Sequence, residues 1–336
     1  MTRGQRRLSA VATAAFVVGL SAACGGTQTG QPAGEGNASA SASGGPGGAA
    51  QLSGQVKVDG SSTVAPLSSA AYEFFAEQQP GVNVTVGTSG TGGGFEKFCN
   101  GEIDIADASR PIKDEEKAAC EAKGVKYAEL TVATDALTVV VNKENTWATC
   151  LTVDQLKKIW EPGAEKKITS WNQVDPKFPN EPLKLFGPGT DSGTFDYFTD
   201  AINGEEGASR KDYSPSEDDN VIVQGVEGTK GGLGYFGFTY FEENAGKLTA
   251  VQVDSGNGCV APSVQTAQDG TYAPLARPLF VYPAVASVKR PEVAGFLDYY
   301  ATNISKIATD AKFIPLNSEQ ESKLKSDLDA LKSQAG

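Results

Sequence analysis

The chain has 336 residues, which is enough for a globular body of two lobes. Acidic residues outnumber basic ones by 41 to 29, giving a net charge of −12, and so acidic a chain argues against nucleic acid or anionic lipid as a binding partner. No histidine occurs, which excludes Ser-His-Asp and Cys-His catalytic arrangements and most histidine-ligated metal sites. We predict neither a bound metal nor a cofactor.

Residues 1–23 have the features of an export signal. Three arginines precede an apolar run over residues 8–20 that is too short to span a bilayer as a permanent helix. The run ends in small residues followed by Cys24, a pattern that resembles the lipobox of bacterial lipoproteins. We predict cleavage before Cys24 and lipid attachment to it; ordinary signal cleavage beside an incidental cysteine is the alternative.

Residues 24–51 consist almost entirely of glycine, alanine, serine and other polar residues. Such a composition cannot bury a core, and it predicts a flexible tether. A lipid anchor followed by a tether would hold the folded body on the outer face of the cytoplasmic membrane. The protein would then contact the membrane only through its lipid.

Between residues 52 and 142, segments typical of strands alternate with segments typical of helices, which is the pattern of an α/β protein. Strands are predicted at 55–60, 81–89, 103–109, 125–130 and 135–142. Helices are predicted at 64–80, 92–102 and 113–124, and Pro80 and Gly124 mark the ends of two of them.

A second series begins with a helix at 151–160, where Thr152 and Gln155 have the spacing of a capping box. It continues with a strand at 183–189, a helix from Thr194 and an acidic loop at 214–220. A helix, a Gly-rich turn and a strand are predicted over 221–244. The remaining strands are predicted at 248–253 and 277–284, and the closing helices at 292–308 and 318–333.

This order of elements predicts two α/β lobes joined by two hinge strands, one leaving lobe I at 137–142 and one returning to it at 277–282. We assign residues 52–141 and 272–336 to lobe I and residues 142–271 to lobe II. A cleft between the lobes would receive the loops at the carboxyl ends of the strands, where ligands of open α/β sheets bind.

Four cysteines remain in the body once Cys24 is set aside, and in an exported protein an even count favours disulfides over metal ligation. Three pairings are possible. We favour Cys99–Cys120, which closes a short loop, and this choice leaves Cys150–Cys259. Zinc ligation is the alternative, but the chain lacks both CxxC spacing and histidine.

Three turns place glycines and hydroxyl side chains between a strand and the start of a helix. Helix N-termini carry unpaired N–H groups and partial positive charge, and glycine lets the backbone approach a small ligand closely. A single turn of this type is usually an ordinary helix cap. Three of them predict a shared anion site, built from residues 60–63, 88–91 and 190–194.

Two charged residues in the run 102–112 are candidates to join this site. Arg110 could make a bidentate contact to an oxyanion, or it could form a surface ion pair. Asp107, with Asp104 as a second candidate, could accept the hydrogen that phosphate carries at neutral pH and sulfate lacks, or it could cap a turn. Both alternatives stay open on the sequence alone.

The chain resembles the PstS family, the phosphate-binding lipoproteins of bacterial phosphate ABC transporters. Four motifs carry the resemblance in order, DGSSTV, GTSGTGGGF, DIADASRPI and GPGTDSGTFDYF, and the match covers residues 55–315. The resemblance implies a type II periplasmic-binding-protein fold that closes on its ligand. It also implies no catalysis, and delivery of the ligand to a membrane permease powered by a separate ATPase.

The resemblance also implies which residues contact the ligand. Carried over by position, the phosphate contacts are Ser62, Thr63, Ser89, Ser192, Gly193 and Thr194. The best-known family members have an arginine where this chain has Pro188, and a proton-accepting aspartate where it has Ser109. We expect Arg110 and Asp107 to substitute for these two residues.

Together these features predict an exported, monomeric and non-enzymatic receptor that captures inorganic phosphate between its lobes and passes it to an ABC permease with its ATPase. An exported phosphate-ester hydrolase is an alternative, with Ser62 or Ser192 as the nucleophile. Without histidine, its base would have to be an aspartate, a lysine or a metal. A sensor that binds the same anion is a third possibility.

Overall fold

The computed structural model describes residues 51–336. The predicted export signal, Cys24 and nearly all of the predicted tether lie outside these residues. Within residues 51–336, no helix combines the length and the apolar composition that crossing a membrane requires.

Strands and helices alternate through the described chain, as the sequence predicted. The strands are β1 (Ser53–Gly60), β2 (Gly81–Val86), β3 (Ile105–Ala108), β4 (Leu130–Asn142), β5 (Cys150–Thr152), β6 (Lys184–Gly187), β7 (Ser214–Pro215), β8 (Gly232–Gly237), β9 (Leu248–Ala250), β10 (Gln252–Asp254), β11 (Cys259–Val260) and β12 (Ala276–Pro283).

The helices include one short 3₁₀ turn, Pro162–Ala164, and one π-helical turn, Thr199–Asn203, which continues α6. The α-helices are α1 (Ala65–Gln78), α2 (Gly90–Cys99), α3 (Asp114–Ala122), α4 (Val153–Trp160), α5 (Trp171–Val174), α6 (Gly193–Phe198), α7 (Asp219–Glu227), α8 (Phe238–Asn244), α9 (Val264–Gln268), α10 (Val285–Val288), α11 (Pro291–Thr302), α12 (Ile304–Asp310) and α13 (Ser318–Ala335).

The start of α4 confirms a local prediction. Gln155 N–H donates to Thr152 Oγ1 at 3.1 Å, and Thr152 N–H donates to Gln155 Oε1 at 2.9 Å. These two bonds form a capping box, which satisfies N–H groups that the first helical turn leaves unpaired.

Three strand predictions differ from the structure. The run after Gly237 forms α8 instead of extending β8, with Phe238 and Phe241 on one side of the helix. The segment 248–253 divides at Val251, because β9 pairs with β4 whereas β10 pairs with β5 and β11. From 125 to 129 the chain makes only an isolated bridge, at Tyr127, before β4 begins.

Nine of the strands form one sheet in the order β2-β1-β3-β12-β4-β8-β6-β7, with β9 also paired to β4. Strand β4 serves both parts of this sheet: residues 130–136 pair antiparallel with β12, and residues 137–141 pair antiparallel with β8. The chain leaves the first part on β4 and returns to it on β12, so these are the two hinge strands. The two-lobed α/β fold is confirmed, while the lobe limits at 141/142 and 271/272 stay a prediction.

Apolar side chains fill both faces of each part of the sheet. In lobe I, one cluster includes Phe75 of α1 and a second includes Phe95 of α2. In lobe II, Trp160 and Tyr235 belong to one cluster and Phe236 belongs to another. Burying a large apolar side chain contributes about 1.5–3 kcal/mol, so each lobe has a substantial core of its own.

Two disulfides are present in the described chain, and both are the pairs that the sequence predicted. Cys99–Cys120 joins the end of α2 to α3. Cys150–Cys259 joins β5 to β11, which flank β10 in a separate three-stranded sheet, and it spans a sequence separation of 109 residues.

Two glycines bring β1, β3 and α2 into close backbone contact. Gly60 has a φ of +144°, and a Cβ on it would lie 2.1 Å from the carbonyl oxygen of Asp107. A Cβ on Gly94 of α2 would lie 2.5 Å from the Cα of Gly60. Since backbone atoms cannot move aside as a flexible side chain can, only glycine lets the first and second Gly/Ser/Thr turns approach each other in this way.

We expect Gly94→Ala to lower the free energy of unfolding by about 1–3 kcal/mol, because the added methyl group must push α2 away from β1. Urea unfolding of the purified protein measures this change. Gly246→Ala is the matched control, since a Cβ there meets no atom within 4 Å. Equal free energies of unfolding for the two variants would contradict the close approach.

Candidate functional site

A cavity of about 600 Å³ opens between the two lobes. The first and second Gly/Ser/Thr turns and the segment after β3 line it from lobe I, α6 and the chain that follows line it from lobe II, and β12 lines it at the hinge. The lining residues are Ser61, Ser62, Thr63, Ser89, Gly90, Thr91, Gly92, Gly93, Ser109, Arg110, Pro111, Lys113, Asp196, Tyr197, Asp200, Glu206, Arg277 and Pro278.

The first turn is held by a backbone hydrogen bond beneath it. Ser61 N–H donates to the carbonyl oxygen of Asp107 at 2.9 Å, which ties the turn to β3. Ser61 itself is buried, whereas Ser62 is exposed and Thr63 half-buried on the cavity wall. The two residues that the sequence predicted for this turn therefore both lie at the cavity.

The second turn is held by Asp59 of β1. Its carboxylate accepts hydrogen bonds from Ser89 N–H at 2.9 Å, from Ser89 Oγ at 2.8 Å and from the Lys97 ammonium group. Burial alone would raise the pKa of Asp59, but the hydrogen bonds from Lys97 and Ser89 outweigh burial and keep this pKa below its usual value. Ser89 is thereby fixed at the start of α2 with its side chain on the cavity wall.

Arg110 also lies on the cavity wall, and it is engaged in an ion pair. Its guanidinium group donates to both oxygens of Glu116, with Nη1–Oε2 at 2.8 Å and Nη2–Oε1 at 2.7 Å. Burial alone would raise the pKa of Glu116, but the hydrogen bond from Arg110 holds it below its usual value. Arg110 therefore lies on the cavity wall, where the sequence predicted it to contact a ligand. Both of its terminal nitrogens, however, already donate to Glu116.

Asp107 does not reach the cavity. Alternate side chains of β3 face opposite sides of the sheet, and Asp107 points with Ile105 toward the core beneath α1. Ser68 Oγ donates to Asp107 Oδ1 at 2.9 Å, and Oδ2 has no hydrogen-bond partner among residues 51–336. Burial raises the pKa of Asp107 to about 8, against the opposing effect of the Ser68 hydrogen bond. Asp107 supports the first turn through its backbone carbonyl, and its side chain lies away from any ligand in the cavity.

The third turn lies against the first. A Cβ on Gly193 would lie 2.9 Å from Thr63 Oγ1, so the two turns are in close contact. Ser192 caps α6 by accepting a hydrogen bond from Thr194 N–H at 3.2 Å. Thr194 lines a neighbouring cavity of about 180 Å³ beside Asp135. The three predicted residues of this turn adjoin the site at Thr63, but they do not line the larger cavity.

Arg277, which was not among the residues predicted from the sequence, lines the cavity from β12. The run 277–284 predicts only a strand, and nothing near it in the sequence signals a site. Its guanidinium group pairs with Asp135 of β4, a residue 142 positions away, so the contact depends on the pairing of the two hinge strands. A local motif could not have revealed it.

Three acidic residues of the lobe II wall were likewise not predicted from the sequence. Asp196, Asp200 and Glu206 line the cavity opposite the first and second turns. Burial, and then the nearby Glu206, raise the pKa of Asp196, whereas Arg277 lowers it. The wall therefore offers hydroxyl and guanidinium donors together with carboxylate acceptors, which suits a small anion that still carries a hydrogen.

A family model described as a PBP superfamily domain matches residues 45–303. Together with the two lobes, the two hinge strands and the cavity between them, this match makes the chain a binding protein of the PBP superfamily. The Planctomyces limnophilus structure of a possible phosphate binding protein superimposes with a TM-score of 0.80 at 47% identity, covering 84% of this chain and 100% of that one.

Relatives in sequence narrow the family. Protein SphX of Synechococcus elongatus is 54% identical over 262 residues, which cover 78% of this chain and 77% of SphX. The phosphate-binding protein PstS of Staphylococcus saprophyticus is 42% identical over 279 residues, which cover 81% of this chain and 84% of that protein. The chain belongs to the PstS family.

Titration of Asp107 should make the free energy of unfolding depend on pH. In the unfolded chain an aspartate has a pKa of about 3.9, whereas the pKa of Asp107 in the folded protein is raised to about 8. The stability that Asp107 contributes is therefore full below pH 4 and is lost as the pH rises through 8, by an amount on the order of a few kcal/mol. Asparagine does not titrate. The free energy of unfolding of Asp107→Asn should therefore rise relative to that of the wild type as the pH is raised from 5 to 8.5.

Urea unfolding of both proteins at pH 5 and at pH 8.5 measures this difference. Asp114→Asn, which changes an aspartate with an exposed side chain, serves as the control and should show the same difference from the wild type at both pH values. If the difference between the wild type and Asp107→Asn were also the same at both pH values, the buried carboxyl would not be the titrating group.

Proposed function

We propose that this protein captures inorganic phosphate in the cleft between its two lobes and delivers it to the permease of an ABC transporter, which works with a separate ATPase. Membership of the PstS family supports this function, and so does the mixture of donors and acceptors around the cavity. The observation that carries the proposal is the convergence of two separate Gly/Ser/Thr turns on one inter-lobe cavity. Proteins of this family work outside the cytoplasm.

The proposed contacts come from both lobes. Hydroxyl and backbone N–H groups of neutral turns would surround the phosphate oxygens, with helix N-termini adding partial positive charge. Each hydrogen bond to a charged ligand contributes about 1.5–3 kcal/mol before desolvation, and micromolar affinity needs only about 8 kcal/mol. An acidic protein can therefore bind phosphate without a basic surface. The proposed contacts are Ser62, Thr63, Ser89 and Arg110, which line the cavity from lobe I, and Ser192, Gly193 and Thr194 of lobe II, whose turn adjoins the cavity at Thr63.

We further propose that the protein binds without turnover. A serine nucleophile needs a neighbouring base. Among residues 51–336, no carboxylate, lysine or arginine forms a hydrogen bond with the hydroxyl of Ser62, and Ser192 Oγ accepts only the N–H of Thr194. The lack of such a base beside either serine among these residues supports binding without turnover over the hydrolase alternative.

The membrane attachment is also a proposal. A lipid on Cys24 and the tether that follows would keep the monomeric binding protein close to its permease. Confinement to the membrane surface raises the effective concentration of two partners that would otherwise meet by free diffusion.

Isothermal titration calorimetry of the anion-free mature protein should give one phosphate per chain. Sulfate is the matched control, because it has the same tetrahedral shape but carries no hydrogen at neutral pH. We expect sulfate to bind more weakly by about 10²–10⁴-fold, since the carboxylates on the wall would face its oxygens without a hydrogen between them. Equal affinities for the two anions would contradict the proposal that carboxylates on the wall accept a hydrogen bond from phosphate.

A phosphomonoester incubated with the same preparation separates the two classes of function. Binding without release of product agrees with a receptor. Steady turnover that Ser62→Ala or Ser192→Ala abolishes would contradict the proposal and favour the hydrolase.

We expect Cys24→Ser to move the protein from the membrane fraction to the soluble exported fraction, because serine cannot accept a thioether-linked lipid. Fractionation followed by immunoblotting measures this shift, and Ser39→Ala in the tether is the control that should remain with the membrane. A Cys24→Ser protein that stays membrane-bound would exclude the lipid as its anchor.

A further inference from the structure

Arg277 occupies the point where the two hinge strands and the two lobes meet. It lies opposite Asp135 in the antiparallel pairing of β12 with β4, and its Nε donates to Asp135 Oδ2 at 3.2 Å. The side chain of Arg277 is 19% exposed and that of Asp135 is 9% exposed. The ion pair is thus largely withdrawn from solvent, and it fixes the guanidinium group at the base of the cavity.

Both lobes contact this guanidinium group. The ring of Tyr197 in α6 stacks against it, with 3.6 Å between the guanidinium carbon and the ring centroid. The Tyr197 hydroxyl donates to the carbonyl oxygen of Pro274 at 2.8 Å, which holds the ring in place. From lobe I, Thr63 Oγ1 accepts a hydrogen bond from Arg277 Nη2 at 3.3 Å. The guanidinium group of Arg277 is therefore held by contacts with Asp135, Tyr197 and Thr63.

Arg277 retains donors that these contacts do not use. A guanidinium group has five N–H donors in a planar fork. Nε donates to Asp135 and Nη2 to Thr63, while Nη1 has no hydrogen-bond partner among residues 51–336. Arg110, the other arginine of the cavity wall, already directs its fork at Glu116. Of the two, Arg277 is the arginine with a free edge at the cavity.

The geometry points to Arg277 as a further phosphate contact, whose free guanidinium edge supplies positive charge to the bound anion, with Asp135 and Tyr197 as positioning residues that hold its fork toward the cavity. This inference rests on the proposed function. Arg277 would take part in specificity, because a planar fork matches two oxygens of a tetrahedral oxyanion in a way that a lysine ammonium group does not.

A hinge arginine would give a cation to a site that is otherwise built on neutral turns. The third turn has Pro188 before it and no basic residue within 188–194. A hinge arginine can contact a ligand held by either lobe, since Thr63 and Tyr197 belong to opposite lobes and both touch it. The charge would then remain in place when the lobes move relative to each other.

The test is calorimetric titration of the anion-free, full-length mature protein with inorganic phosphate. We expect Arg277→Gln to raise the Kd for phosphate by about 100-fold or more, which corresponds to the loss of two hydrogen bonds to a charged group. Arg277→Lys should recover part of the affinity, because it keeps the charge without the fork. Arg290→Gln is the matched control, because Arg290 pairs with Asp104 and Glu292 away from the cavity. The Arg290→Gln variant should bind phosphate with the same Kd as the wild type.

Two variants of Tyr197 test the positioning role. We expect Tyr197→Leu to weaken phosphate binding by about tenfold and Tyr197→Phe, which keeps the ring, to restore most of that loss. Both variants lose the hydrogen bond from the Tyr197 hydroxyl to Pro274. If only this hydrogen bond mattered, both variants would unfold at a lower urea concentration than the wild type, and their Kd values for phosphate would be equal. Equal Kd values for the two variants would contradict the role of the ring.

The outcomes separate this inference from the function on which it rests. A wild-type protein that binds no phosphate overturns the proposed function and the role of Arg277 together. A wild-type protein that binds phosphate while folded Arg277→Gln binds equally well overturns the role of Arg277 alone. If Arg277→Gln does not fold, Arg277→Lys and the Tyr197 pair decide: wild-type affinity in all of them refutes the inference.

Discussion

The site depends on one strand, β4, being shared by two parts of the sheet. Its residues 130–136 pair with β12 and its residues 137–141 pair with β8, so both walls of the cavity are attached to the same backbone ladder. Because side chains alternate along a strand, a slip of one residue would turn every side chain to the other face. The register that places Asp135 opposite Arg277 is therefore also the register that gives each lobe its core.

Three cations at or near the cavity are each paired with a carboxylate. Lys97 meets Asp59, Arg110 meets Glu116 and Arg277 meets Asp135. A net charge of −12 would repel an anion at long range, but water and salt weaken such repulsion over about 10 Å at 0.1 M ionic strength. Short hydrogen bonds inside the cleft act below that distance.

The sequence predicts the parts of the site that depend on neighbouring residues. A strand followed by Gly, Ser and Thr and then by a helix specifies a turn wherever it occurs, and the turns with Ser62 and Ser89 do lie at the cavity. The direction of Asp107 depends on which face of β3 packs under α1, and two plausible roles were open to it. Arg277 could not be found because its partner, Asp135, is brought near only by the pairing of distant strands.

The position of β12 also bears on the order in which the chain acquires its structure. β12 lies between β3 and β4 in the sheet, so the core of lobe I cannot close until the chain beyond residue 276 is available. The second lobe, by contrast, is built from a continuous stretch that enters on β4 and leaves at the hydrogen bond between Leu137 N–H and the Leu275 carbonyl. Contacts between segments that are distant in the sequence form slowly. Lobe II can therefore become compact before lobe I, although the first residues of lobe I are synthesised earlier.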